Sequence, residues 1–399
     1  MPPDRLGSIA TAKQSQGWEP TMKPIVRAMW AVMALLSCTT GAGAAPDQAG
    51  AVGARVIAVA RAANLSGEIA LGDADGTRFD SAIGLADREQ GRPHRSGARW
   101  LWASVTKQVA ATLVMQQVEA GKLALDLPIR AYLPSFAGPS GDTVTIRHLL
   151  QHTSGLPNPI NTKPDAQDVQ AFYTETGAAI GDMARARGFC AGPPLAAPGA
   201  GFSYNNCDYL VLGAILEQAT GRPFGALVAD RIAKPLGLRS LRLAPDSAPR
   251  GGGVAIGYTT GGKRYPPINV ATFGAAGALT GTARDLVTLD LALVEGKLLN
   301  DASRAILWSG DPKLGYEALG VWSFEAQLRG CEAPVALIER RGDLGGIQVR
   351  NIIAPALGLK QGRALAVFTN DDSIDFGEVW QGKGLAFDLL SAAFCPANP

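Results

Sequence analysis

Ser104 and Lys107 stand three residues apart in the run from Leu101 to Lys122, LWASVTKQVAATLVMQQVEAGK. Val105, Val109, Leu113 and Val118 recur there at helical spacing, which predicts a helix from about Ala103 to Ala120. On one helix face, residues three apart lie about 5–6 Å apart at Cβ, so the amine reaches the hydroxyl. A lysine held among apolar neighbours loses hydration, which favours its neutral form. A neutral amine beside a serine is a base for the serine proton. Free N–H groups and the dipole at a helix start also favour an alkoxide or an oxyanion. Taken alone, the spacing fits equally well an N-cap serine beside a snorkelling lysine.

The other nucleophile chemistries are restricted by elimination. The only histidines are His94, His148 and His152, and no G-x-S-x-G elbow is present. A nucleophile-elbow hydrolase needs serine, acid and histidine in that chain order, so its triad is excluded. His148 and His152 are four apart, but Leu149 stands where an H-E-x-x-H site carries its glutamate. They read as structural residues, and no metal site is expected.

The elements that must position the serine follow from the pattern of the remaining chain. Of 399 residues, 47% are apolar and 18% charged, enough for one large domain or two smaller ones. The formal net charge of +2 comes with no basic cluster, which excludes a nucleic-acid-binding face and a polybasic membrane contact. SGEIALGDADGTRFDSAIGLAD reads as two strands about a turn. Helical segments and loops rich in Pro and Gly fill roughly 122–285, and LGVWSFEAQL, APVALIERRG, IQVRNIIAP and RALAVFTN are strand-like. The expected fold is α/β, an antiparallel β-sheet flanked by helices with an inserted mainly helical lobe. Residues 45–121 and 286–399 would form the sheet domain, residues 122–285 the lobe, and the site would lie between them.

The N-terminus reads as a leader. Lys23 and Arg27 precede an apolar run from Ala28 to Leu36, and small residues follow to Ala44. That order marks a signal peptide over 22–44, with translation starting at Met22 and a periplasmic or secreted product. The run is too short for a membrane span, which needs about 20 residues. Leu35-Leu36-Ser37-Cys38 also resembles a lipid-attachment box, so a lipid anchor at Cys38 is the alternative processing. Beyond the leader, Cys190, Cys207, Cys331 and Cys395 allow three disulfide connectivities. Cys190–Cys207, closing a short loop, and Cys331–Cys395, tying down the C-terminus, are the expected pairs.

These residues together resemble the serine β-lactamase and penicillin-binding-protein superfamily, in the branch of class C β-lactamases, D,D-peptidases and related bacterial esterases. The stretches that carry the resemblance are ASVTK, GKLALDLPIRAYLP, VTIRHLLQHTSGLP, PGAGFSYNNCDYLVLGAILEQATGRPF and GAAGALTGTARDL, over about Ser66 to Phe394. The resemblance implies that Ser104 is the nucleophile and Lys107 its proton partner. It implies that Tyr204, in Tyr204-Asn205-Asn206, is a phenolic acid/base made acidic by the charge of Lys107. Asn206 would hold Lys107 and a substrate amide. The third family motif, a cation, a hydroxyl and a glycine on an inner strand, aligns with Asp343-Leu344-Gly345, and the second oxyanion N–H with Gly346. Asp343 there would repel a substrate carboxylate, unless Arg341, two residues earlier on the same strand face, neutralised it or bound the anion itself. Arg340 would face the other way.

The expected protein is therefore an exported serine hydrolase working through an acyl-enzyme, on an ester, amide or peptide without a strongly anchored carboxylate. It would need no metal and no organic cofactor. Two alternatives remain: a β-lactamase or D-alanyl-D-alanine carboxypeptidase that uses Arg341 as its anion anchor, and a binding module that has lost turnover.

Overall fold

The computed structural model describes residues 46–74, 76, 78–167, 169–246, 254–357 and 360–396; the leader and Cys38 lie outside them. Six strands form one sheet: β1 (Gly67–Asp73), β2 (Arg78–Ile83), β3 (Trp322–Ala326), β4 (Val335–Leu344), β5 (Ile347–Leu357) and β6 (Lys360–Thr369). Their order is β2-β1-β6-β5-β4-β3, and every neighbouring pair is antiparallel. The fold is the expected α/β arrangement.

Period-two alternation in β6 explains why the sheet is covered on both faces. Leu365 and Val367 point into one core with Val56, Ala60, Leu389 and Leu390. These come from α1 (Pro46–Ala62) and the C-terminal helix Leu385–Phe394. Ala364, Ala366 and Phe368 point into the other core, which runs on through the helical part of the molecule. That core holds α2 (Thr106–Glu119), α3 (Asn206–Thr220) and α4 (Ala283–Val294).

The helix expected from Ala103 is shorter at its start. Ala103–Val105 forms a 3₁₀ turn, and the α-helix begins at Thr106. Val105, Val109 and Leu113 are fully buried as the spacing requires, but so are Lys107, Thr106 and Thr112. α2 is thus buried almost all round, which is why its lysine has no route to bulk water. Both expected disulfides are present, Cys190–Cys207 and Cys331–Cys395. The first joins α3 to the loop before it; the second clamps the C-terminal helix beside β3.

Candidate active site

Ser104 is placed by a short strand and a strained turn. Arg99–Leu101 pairs antiparallel with Leu279–Thr282, and the Trp102 N–H donates to the Leu279 carbonyl at 2.9 Å. Ala103 then turns back with φ +47°, a left-handed conformation that costs a residue with a Cβ about 1 kcal/mol or more. The turn leaves Ser104 partly exposed at the head of α2.

Lys107 lies one turn on. Its Nζ is 3.1 Å from Ser104 Oγ, 2.8 Å from Asn206 Oδ1 and 2.7 Å from the Ala276 carbonyl. Burial, reinforced by the Arg340 charge, holds this amine well below the ordinary lysine range. Asn206 Oδ1 and the Ala276 carbonyl are pure acceptors and take two of its N–H groups; in the neutral amine, which burial favours, the lone pair then faces the Ser104 hydroxyl.

Tyr204 enters from the other side, just before α3. Its Oη is 2.5 Å from Ser104 Oγ. Asn205 caps α3 by accepting from the Cys207 N–H, which fixes the chain between Tyr204 and Asn206. The expectation for the phenol needs correction. Lys107 Nζ sits 4.7 Å from the ring centroid, and the cation on the phenol oxygen is Arg340, whose Nη2 donates at 3.0 Å. Burial pushes Tyr204 above the ordinary phenol range, against the opposing pull of Arg340. The resting phenol is protonated. With Lys107 neutral, a directed chain results: Arg340 donates to Tyr204, Tyr204 to Ser104, and Ser104 to Lys107.

Asn206 has both ends engaged, Oδ1 by Lys107 and Nδ2 by Tyr173 Oη at 2.9 Å. It braces the lysine, and one of its two amide hydrogens has a partner inside the protein.

β4 also requires a correction. The side chains on the site face are Arg340, Gly342 and Leu344, not Arg341 and Asp343. Arg340 is fully buried, and its Nε donates to the Ser104 carbonyl at 3.1 Å. A Cβ on Gly342 would lie 2.6 Å from the Trp102 carbonyl and 3.2 Å from the Ser104 nitrogen, so only glycine lets β4 run against the nucleophile turn. On the far face, Arg341 pairs with Glu339 and Glu378 at 2.9 and 2.6 Å, and Asp343 with Arg350 at 3.3 Å.

Gly345 and Gly346 form the two-residue hairpin turn between β4 and β5, with φ +63° and +76°. Gly346 packs on Gly257 and Tyr258, away from Ser104. The cation–x–glycine pattern therefore stands three residues earlier than expected, at Arg340-Arg341-Gly342. The backbone follows. A two-residue turn pairs Leu344 with Ile347, so Leu344 directs its N–H to β5 and Asp343, by alternation, to the opposite edge. β3 pairs only as far as Glu339, and beyond it that edge runs beside Trp102–Ser104. The Asp343 amide is thereby directed to the edge that faces the Trp102–Ser104 turn.

Sequence reasoning missed Arg340, Glu317, Tyr173 and the Ala276 carbonyl. Gly345-Gly346 read as a hairpin signal would have moved the strand register and found Arg340. His148 braces the turn at Thr145, accepting from its N–H at 3.2 Å. His152 is buried against the Tyr204 ring at 4.5 Å and lies 3.0 Å from Asp208.

Comparisons with known proteins agree with this geometry. The β-lactamase family model matches residues 54–319, and the chain belongs to that family. Esterase EstB of Burkholderia gladioli is 40% identical over 172 residues, which is 40% of this chain and 42% of that one. Penicillin-binding protein 4 of Amycolatopsis lactamdurans is 35% identical over 180 residues, 44% of each chain. The chain thus spans under half the length of these relatives. The crystal structure of D-amino acid amidase from Ochrobactrum anthropi SV3 shares the fold, with a TM-score of 0.69 at 21% identity over 87% of this chain and 98% of that one.

Proposed function

We propose that this protein is an exported serine hydrolase that cleaves esters, or amides without an anchored carboxylate, through an acyl-enzyme. The observation that carries the reading is Ser104 Oγ held between Tyr204 Oη at 2.5 Å and Lys107 Nζ at 3.1 Å. Neutral Lys107 takes the Ser104 proton as the oxygen attacks the substrate carbonyl. The oxyanion forms toward the Ser104 and Asp343 amides. Tyr204 passes its proton to the leaving group, then as phenolate takes a proton from the water that attacks the acyl-enzyme, while Lys107 returns its proton to the departing Ser104 oxygen.

The substrate class rests on where the cations are. Arg340 is sealed from solvent and engaged by Tyr204 and the Ser104 carbonyl, while Arg341 is paired with two glutamates on the other sheet face. Neither presents an open guanidinium to a substrate carboxylate. The 40% identity to an esterase supports the same choice. Export rests on the leader, Met22–Ala44, with a periplasmic or secreted product. Among the described residues no helix is long and apolar enough to cross a membrane.

The test uses the full chain and Ser104→Ala with nitrophenyl esters, a chromogenic cephalosporin and a fluorophosphonate probe. Ester turnover that falls at least about 10³-fold in the variant, with probe mass found on Ser104, is the expected result. Cephalosporin turnover faster than ester turnover would overturn the substrate class. Absence of both turnover and labelling would leave a binding module.

A further inference from the structure

Glu317 is a buried carboxylate that the steps above do not use. Its backbone is fixed by bridges to Asp311 and Trp322, and its side chain points inward, fully buried. Neither carboxylate oxygen has a hydrogen-bond partner among the described residues, and neither does Arg340 Nη1. The two groups face each other at 3.8 Å, both side chains at 0% exposure. On its other side the same guanidinium holds Tyr204 Oη at 3.0 Å.

A guanidinium cannot shed its proton in a protein, so Arg340 places one fixed positive charge in a dry region. A buried charge needs a counter-charge. Two acids touch this one, Glu317 and Tyr204, and one anion suffices. We propose that Glu317 is a positioning residue, the acid that becomes the counter-ion of Arg340 as pH rises, which leaves Tyr204 a neutral phenol able to donate to Ser104. The role rests on the serine hydrolase reading, but the charge contest does not.

The other charged or titratable groups facing this cluster are Lys107 on α2, Tyr209 and Asp208 on α3, and His152 and Tyr173 beside Tyr204. Burial pushes the Glu317 carboxyl up to about 8 against the pull of Arg340, and of Lys107 when protonated, so the anion is present across the alkaline range in which a phenol titrates. The anion in turn pushes Tyr204 up, as it does Tyr209. Removing it leaves Arg340 with Tyr204 as its only contacting acid.

The test is a near-ultraviolet titration of tyrosinate in the full chain, for wild type, Glu317→Gln and Glu317→Met. Each is compared with the same background carrying Tyr204→Phe, so that the wave of Tyr204 is isolated. Both Glu317 variants should lower the midpoint of that wave by about one pH unit or more. The alkaline limb of fluorophosphonate labelling should move the same way. Midpoints that match wild type in both variants, or that rise, overturn the proposal. The methionine variant fills the same volume without a polar group and serves if glutamine disturbs folding. The titration uses no substrate, so failure of Ser104 to label would count against the hydrolase reading and leave the test of Glu317 intact.

Discussion

At the scale of single residues, one hydrogen-bond direction organises the site. Arg340 can only donate, so Tyr204 accepts from it and spends its own proton on Ser104. Ser104 is then free to donate to Lys107, whose N–H groups are occupied by Asn206 and Ala276. The chain works only while Lys107 is neutral. Burial holds its pKa below the ordinary amine range, so the neutral form is retained as pH falls toward neutrality and is lost below the depressed value. Ester turnover should accordingly persist below the ordinary amine range and fall on further acidification, following protonation of one group in the pH dependence of kcat/KM. Lys107→Arg, which cannot deprotonate, should lower kcat by about 10²–10⁴-fold across that range with KM little changed. A variant retaining wild-type kcat would show that the lysine moves no proton.

At the scale of elements, the decisive contact is β4 against the nucleophile turn. It delivers Arg340 to Tyr204, and the Asp343 amide to the place where an oxyanion would form. Gly342 permits the approach, since the Trp102 carbonyl stands 2.6 Å from where a Cβ would be. Gly342→Val must push β4 or the turn aside. A displacement of about 1 Å is worth some 10²-fold in rate. We expect a loss of that size in kcat, with the far-ultraviolet circular dichroism of the sheet retained. Rates within two-fold of wild type would show that the strand does not set the geometry. This element also shows how a sequence register misleads. The pair Gly345-Gly346 invites alignment with a motif glycine and a backbone donor. Both residues have positive φ because they make the hairpin turn, and the strand face they imply is shifted by three residues. A shift by an odd number exchanges the two faces of a strand, which is why Arg341 and Asp343 stood where Arg340 and Gly342 belong.

At the scale of the whole molecule, the site borders the core on one face of the sheet, and the disulfides brace the elements around it. Cys190–Cys207 anchors the start of α3, at the residue next to Asn206, and Cys331–Cys395 closes a loop with a sequence separation of 64. Closing loops of these sizes is worth about 3–4 kcal/mol each by chain entropy. Replacing Cys331 and Cys395 by alanine should lower the unfolding free energy in denaturant by roughly that amount and leave kcat nearly unchanged. Replacing Cys190 and Cys207 should lower both stability and kcat. Equal effects on kcat from the two pairs would argue against a local brace at α3.

The sequence by itself determined the alternation of strands, the helix that follows Ser104 and carries Lys107, and a choice of three disulfide connectivities. These are set by local period, by spacing or by a small count of cysteines, all of which survive without coordinates. Only the tertiary structure decided which strand face meets the serine, and therefore that Arg340 and not Arg341 is the cation of the site. It alone placed Glu317 beside that cation, 23 residues away along the chain. Burial and charge are properties of surroundings drawn from distant segments, and no local pattern encodes the desolvation that keeps Lys107 neutral and Tyr204 protonated.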